Sequence, residues 1–247
     1  MAKKPWYKEW FISPYYDILY RNRNVEEAEA FVKKLVDYLK PAADSYMFDV
    51  ACGKGRHSKA LADMGFDVTG TDLCLPSIEY AKQFENDHLH FYQHDMRLPF
   101  RINYFNYAFN FFTSFGYFKT RREHDDAMRT IAQSLKPYGT FVIDYLNVRY
   151  VEENLKRSEE LQIGDVNFNI ARWFDEEHFF KQIQISDTSK KPQHLFTERV
   201  AKFSIGDFTD LLSYQHMQIQ HVFGDYDLAD YDIRKSPCMI IVASKNK

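Results

Sequence analysis

Asp49-Val50-Ala51-Cys52-Gly53-Lys54-Gly55-Arg56-His57-Ser58 is the stretch on which the fold turns. The apolar lead-in Tyr46-Met47-Phe48 reads as the end of a buried strand, and Lys59-Ala60-Leu61-Ala62 reads as the helix that follows. A strand, a glycine turn and a helix place a ligand crevice at the carboxyl end of a parallel sheet. The glycines let backbone and ligand approach closely because no Cβ intervenes. Asp49, four residues before Gly53, is the unusual member. A phosphate would be repelled by that carboxylate, whereas a cationic ligand would be held by it.

Working outward, strands and helices alternate. Apolar residues recur at helical spacing from Val25 to Leu39, and Pro41 ends that helix. Met47–Val50, Phe66–Thr71, Leu89–His94, Phe105–Asn110 and Thr140–Tyr145 read as strands. Ser58–Met64, Pro76–Phe84 and Glu123–Leu135 read as helices, and Pro137-Tyr138-Gly139 as a turn. The rhythm predicts an α/β fold, a parallel sheet with helices on both faces. After Tyr145 the pattern changes to short alternating stretches around 167–172, 182–185 and 196–203, with turn-rich connectors, one of them Asp187 to Pro192. These predict a small antiparallel β insert at 150–203 within a domain made of 1–149 and 204–247. Ser204–Asp207 has the form of a capping box opening a helix to Leu212, and Met217–Phe223 and Met239–Ala243 read as the last strands.

Composition narrows the function classes. A formal charge of -3 over 247 residues, with basic pairs scattered along the chain, argues against a nucleic-acid surface. Cys52, Cys74 and Cys238 are too far apart for a disulfide framework or a zinc ribbon. His88, His90 and His94 alternate along one strand, but no further ligand completes a metal set. The polar start Met1–Glu9 and the absence of a long apolar run predict a cytoplasmic protein without a membrane span.

Three acids occupy equivalent places. Asp49, Asp72 and Asp95 each stand at or just beyond a strand end, 23 residues apart in both intervals. Adjacent parallel strands would bring the three carboxylates to one rim. An acid after the second strand suits a ribose diol, one after the third beside Met96 an exocyclic adenine amine, and one near the glycine turn an ammonium. Together they describe an adenosyl ligand with a positive tail. A nicotinamide dinucleotide would want a glycine three residues after Gly55, where Ser58 stands.

Asp49-Val50-Ala51-Cys52-Gly53-Lys54-Gly55 resembles the first motif of class I S-adenosylmethionine-dependent methyltransferases, and Val68-Thr69-Gly70-Thr71-Asp72-Leu73 their second. His94-Asp95-Met96-Arg97-Leu98-Pro99 and the loop Phe111-Phe112-Thr113-Ser114-Phe115-Gly116-Tyr117-Phe118 resemble a bacterial branch of small-molecule type. The likeness extends to the aromatic start Trp6–Tyr20 and to Phe223-Gly224-Asp225-Tyr226 with Ser236-Pro237. It implies a Rossmann-like, doubly wound, mostly parallel seven-stranded sheet with the last strand pair reversed. It also implies S-adenosylmethionine as cofactor, leaving as S-adenosylhomocysteine.

By position, the resemblance assigns the methionine end of the cofactor to Asp49, Ala51, Gly53 and Gly55, with Arg56 near its carboxylate. It gives the ribose to Asp72, the adenine to Leu73, Asp95 and Met96, and the methionine portion to Asn110. Ala51 stands where the family usually has glycine, a small change that should be tolerated. Tyr117 and His57 are the candidate bases. Tyr15, Phe115, Tyr117 and Arg172 are candidates for the wall facing a small-molecule acceptor at N or O. Two alternatives stay open: a protein that binds the cofactor without transferring its methyl group, and another nucleotide-dependent enzyme of this fold. The expected partner is a small molecule, not nucleic acid or membrane, with the chain a monomer or homodimer.

Overall fold

A computed structural model describes residues 6–21, 25–187 and 190–247. Its first half runs α1 (Trp6–Trp10), α2 (Pro14–Leu19), α3 (Val25–Leu39), β1 (Tyr46–Val50), α4 (Arg56–Asp63), β2 (Asp67–Asp72), α5 (Leu75–Ala81), β3 (Leu89–Gln93), β4 (Phe105–Asn110) and α6 (Arg121–Ser134). The second half runs β5 (Leu135–Leu146), α7 (Val148–Glu153), β6 (Ser158–Ile163), β7 (Val166–Phe174), β8 (His178–Asp187), β9 (Lys190–Ala201), α8 (Ile205–Ser213), β10 (Met217–Phe223) and β11 (Cys238–Lys245).

The main sheet has seven strands among the described residues, in the order β10-β11-β5-β4-β1-β2-β3. β1 pairs in parallel with β2 and β4, β2 with β3, and β4 with β5, so their carboxyl ends share one rim. β11 is antiparallel to both β5 and β10. Only β11 is therefore reversed, and the expectation of a reversed pair is corrected: β10 runs with the parallel strands.

Alternation along β1 sorts the two faces. Phe48 and Val50 join a core with Ala127, Ile131, Phe208 and Leu211 from α6 and α8. Met47 points the other way, into a core with Phe31, Leu35, Leu61 and Ile78 from α3, α4 and α5. Each fully buried Phe or Leu in these layers contributes about 1.5–3 kcal/mol of transfer free energy. Local signals agree with the packing. Thr120 and Glu123 close a capping box on α6, and Ser204 and Asp207 close the expected one on α8.

The second sheet, β6-β7-β8-β9, is wholly antiparallel. Val166, Phe168, Ile170, Ile183 and Ile185 on its inner face pack against Trp10 and Tyr15 of the first segment. Two local expectations change. Pro137-Tyr138-Gly139 is not a separate turn but a bulge inside β5, with Tyr138 at φ 63 and a register shift opposite Phe105 and Tyr107. β6 was not foreseen as a strand. The connector expected at Asp187–Pro192 falls partly on residues 188–189, outside the described residues.

The two sheets are tied where it matters for the site. Tyr145 Oη on β5 donates to the Ala201 carbonyl at the end of β9 (2.6 Å), and Ala201 N–H donates to the Gly116 carbonyl (2.9 Å). A Cβ on Gly116 would stand 2.3 Å from the Tyr145 hydroxyl, and its φ is +98, so the loop after β4 requires glycine there. No helix among the described residues is long and apolar enough to cross a membrane.

Candidate active site

A cavity of about 590 Å³ opens over the carboxyl rim of β1, β2 and β4. Its floor is the glycine turn, Ala51 to Lys54. Asp72, Leu73, Asp95 and Met96 line it beside that turn. Tyr7, Phe11, Tyr16 and Tyr20 from the first segment, Tyr117 and Phe118 from the loop after β4, and Glu198 and Val200 from β9 complete the lining, with the Phe118 ring 5.1 Å from the Arg97 guanidinium that grips Asp95.

Asp72 ends β2 and is tied on both oxygens. Gly53 N–H donates to Oδ2 (2.9 Å) and Cys74 N–H to Oδ1 (2.7 Å). Burial raises its pKa, against the lowering effect of these backbone donors. It thereby fixes the glycine turn while its carboxylate lines the cavity. Asp95 is gripped by Arg97, with Nη2 2.6 Å from Oδ2 and Nε 3.0 Å from Oδ1. Burial alone would raise the Asp95 carboxyl, but the Arg97 bonds and charge hold it below the usual carboxylate range. Arg97 also contacts Glu123, which anchors the third-strand loop to α6.

Asp49 does not join the other two acids at the cavity wall. β1 continues to Val50, so Asp49 shares the face of Met47 and points toward α4. It is 1% exposed and accepts from Ser58 Oγ at 2.6 Å. Burial pushes its pKa up to about 7, with Ser58 opposing and the charge of Asp72 adding to the rise. It lies behind the glycine turn, and any action on a ligand is through that turn.

Asn110 and Gly55 are also set back from the cavity lining. Asn110 is fully buried and donates from Nδ2 to the Val50 carbonyl (2.8 Å), fixing the end of β1. Gly55 begins α4 at φ +80, and a Cβ there would lie 2.5 Å from the Phe91 ring. Arg56 does line the cavity; it pairs with Glu27 (3.3 Å) and lies over the Phe112 ring. Ala51 lines it too, but at φ 59. The left-handed backbone costs a non-glycine residue roughly 1–2 kcal/mol, which is why glycine suits this position. Ala51→Gly should therefore gain stability, by about 0.5–1 kcal/mol after glycine's larger unfolded-state entropy is subtracted. Thermal melts would read this, and a lower Tm would contradict the strain argument.

Both candidate bases line the cavity. His57 stacks on Phe111 and Phe112 (4.5 and 5.2 Å between centroids). Burial, helped by the Arg56 charge, holds its pKa well below the ordinary histidine value. It is therefore neutral and a weak proton acceptor at neutral pH. Tyr117 packs edge-on against Trp6 at 5.0 Å and beside Phe11 at 5.9 Å.

Three acceptor-side expectations are corrected. Tyr15 faces the second sheet, donating to Asp187 (3.2 Å) and packing on His194; its neighbours Tyr16 and Tyr20 face the cavity instead. Phe115 is fully buried among His124, Phe203 and Phe208, so it is core. Arg172 lies outside the lining and is held by Glu159 at 2.7 Å.

Several site features had not been foreseen. Lys54 of the glycine turn pairs with Asp17 of α2 (2.7 Å), latching the first segment over the cavity. Phe112 and Thr113 both have positive φ, 55 and 52. Asp144 holds this strained turn: its Oδ2 accepts from Phe112 N–H and from Tyr226 Oη, both at 2.9 Å. Glu198 carried one sequence signal, a charge at an inward position between Phe196 and Val200.

Residues 48–143 match the methyltransferase domain family. A dTDP-3-amino-3,4,6-trideoxy-alpha-D-glucopyranose N,N-dimethyltransferase of Streptomyces venezuelae is 35% identical over 133 residues, covering 52% of this chain and 54% of that protein. The chain thus spans about half the length of that curated relative. Among solved structures, an S-adenosylmethionine-dependent methyltransferase from Clostridium acetobutylicum ATCC 824 superposes with TM-score 0.79 at 14% identity, over 94% of this chain and 97% of that one. The sugar N-methyltransferase KedS8 from Streptoalloteichus sp ATCC 53650 gives TM-score 0.71 at 18% identity, over 94% and 93% of the two chains. At these identities the two structures establish a shared fold.

Proposed function

We propose, from the methyltransferase-domain match over residues 48–143 and the cavity built upon it, that the chain transfers a methyl group from S-adenosylmethionine to a nitrogen or oxygen of a small molecule. One observation carries the reading. A single cavity of about 590 Å³ brings Asp72, Leu73, Asp95 and Met96, suited to an adenosine, together with an aromatic lining from the first segment and the loop after β4 that suits an acceptor. The floor fits such a ligand: a Cβ built on Gly53 meets nothing within 4 Å, so the turn leaves open space beside its backbone. Asp72 would hold the ribose, Leu73 and Met96 would flank the adenine, and Asp95 would accept from its amine.

When bound, the cofactor supplies an activated methyl group on a positively charged sulfur. The residues of this chain align and enclose. Ala51 to Lys54 fix the height of the ligand over the sheet. The Asp17–Lys54 pair would hold the first segment, with Tyr16 and Tyr20, beside it. Tyr117 and Phe118 set the approach of the acceptor. Positioning of this kind supplies roughly 7–11 kcal/mol of a displacement barrier. The nitrogen acceptors named for the relatives support nitrogen over oxygen. The charge balance and cavity size favour a small molecule over nucleic acid, in a cytoplasmic setting. The insert at 150–203, through Glu198 and Val200, together with the first segment, forms the acceptor-side cap.

Calorimetry with S-adenosylmethionine, S-adenosylhomocysteine and NAD, followed by transfer of labelled methyl into a metabolite extract, tests this. Binding of both adenosyl ligands and label in a small molecule is expected. Binding without transfer would favour a cofactor-binding protein, and preference for NAD would overturn the assignment.

A further inference from the structure

Glu198 is the one carboxylate that β9 contributes to the cavity lining. Its Oε1 accepts from Trp10 Nε1 (2.7 Å) and Tyr20 Oη (3.2 Å), both neutral donors on the first segment. Among the described residues no cation lies within ion-pair distance of it. Lys181 stands directly opposite in the β8–β9 register and its Nζ bonds at 2.5 Å to the same Tyr20 Oη that donates to Glu198, so it reaches the carboxylate through that hydroxyl and not as a direct ion pair. Among the lysines and arginines that line the cavity, Lys54 is paired with Asp17, Arg56 with Glu27, and Arg21 makes no ion pair with Glu198. A half-buried carboxylate bonded only to neutral donors is open to a cationic partner, and aromatic rings facing the same space add to the attraction for a cation. Phe11, Tyr16, Tyr20, Tyr117 and Phe118 supply those rings around the same chamber.

We propose that the aromatic-lined cavity binds a methyl acceptor that carries an organic ammonium on an apolar or aromatic body, and that Glu198 anchors this ammonium, the methyl group going to the lone pair of a separate, uncharged nitrogen or oxygen whose proton then leaves to solvent. This rests on the reading of the cavity as a joint cofactor and acceptor site. Glu198 acts here as a specificity-determining residue; it holds the positive group while the aromatic walls cover the body.

The test uses the full chain loaded with S-adenosylhomocysteine and a matched pair of probes, 2-phenylethylamine and 2-phenylethanol, near pH 7.5. The protein should bind the ammonium about tenfold or more tightly than the alcohol. Glucosamine, a cation without a flat apolar body, should bind more weakly than phenylethylamine. In Glu198→Gln the amine-to-alcohol ratio should fall to near one, through loss of amine affinity alone. Equal binding of the two probes, tighter binding of glucosamine, or an equal loss of both probes in the variant would overturn the proposal. The last result would mark Glu198 as a tether for Trp10 and Tyr20 only. Failure of the chain to bind S-adenosylhomocysteine would instead strike the methyltransferase reading.

Discussion

Asp72→Ala is expected to weaken S-adenosylhomocysteine binding by about a hundredfold, near 3 kcal/mol, and to lower Tm as well. Two losses combine. The variant removes the carboxylate placed to accept ribose hydroxyls. It also orphans the N–H groups of Gly53 and Cys74, which the carboxylate now holds at 2.9 and 2.7 Å. The first loss acts on the ligand directly; the second lets the glycine turn relax away from the geometry the ligand needs. Asp72→Asn separates them. It keeps one acceptor oxygen but replaces the other with a donor facing a backbone N–H. It should therefore fall between wild type and alanine in affinity while losing nearly as much stability. Titration calorimetry and thermal melts on the three proteins give both readings. Unchanged affinity in the alanine variant would remove Asp72 from the cofactor site, whatever happened to its stability.

The sequence made the sheet legible because its strands are short, apolar and separated by turn residues. β4 at Phe105–Asn110, α3 at Val25–Leu39 and β10 at Met217–Phe223 were readable to the residue. What escaped depended on phase. The strand end at Val50 was legible, but strand side chains alternate, so Asp49, one residue inside that end, falls on the face of Met47 and α4, whereas Asp72, the last residue of β2, reaches the cavity. The same holds for Tyr15 and Tyr16 on α2. Neighbours on a helix diverge by about 100°, and only the docking of α2 against the second sheet tells which enters the cavity. Phe115 and Phe118 lie in an irregular loop, where no period applies. β6 was hidden because its inward Leu161 and Ile163 follow the charged run Glu159-Glu160, and its partner strand supplies most of its apolar face. Glu198 and the Asp17–Lys54 latch join segments 178 and 37 residues apart from their partners, beyond the reach of local pattern.

Asp49→Asn should stabilise the free protein above pH 7 and weaken its grip on a cationic ligand. The Asp49 pKa is about 7 in the fold, raised chiefly by burial, against 3.8 for the unperturbed group. Because the folded value is the higher one, the folded chain keeps a proton that the unfolded chain has lost across that window. Stability from this group is intact below pH 4 and falls as pH rises to about 7, by about 4 kcal/mol at most. Asparagine stays neutral, can still accept from Ser58 Oγ, and is spared that loss. Its Tm should exceed that of wild type at pH 8 and match it near pH 4. The ligand reverses the preference. A cation over the glycine turn favours the ionised carboxylate behind it, so wild type should release part of a proton on binding S-adenosylmethionine near pH 7. Affinity should then rise with pH up to about 7 and level off. Calorimetry in buffers of different ionisation enthalpy reads the proton directly, and the asparagine variant should show none. Proton release that persists in Asp49→Asn would move the titrating group elsewhere. A variant no more stable than wild type at pH 8 would mean that the buried carboxylate is already compensated without any ligand.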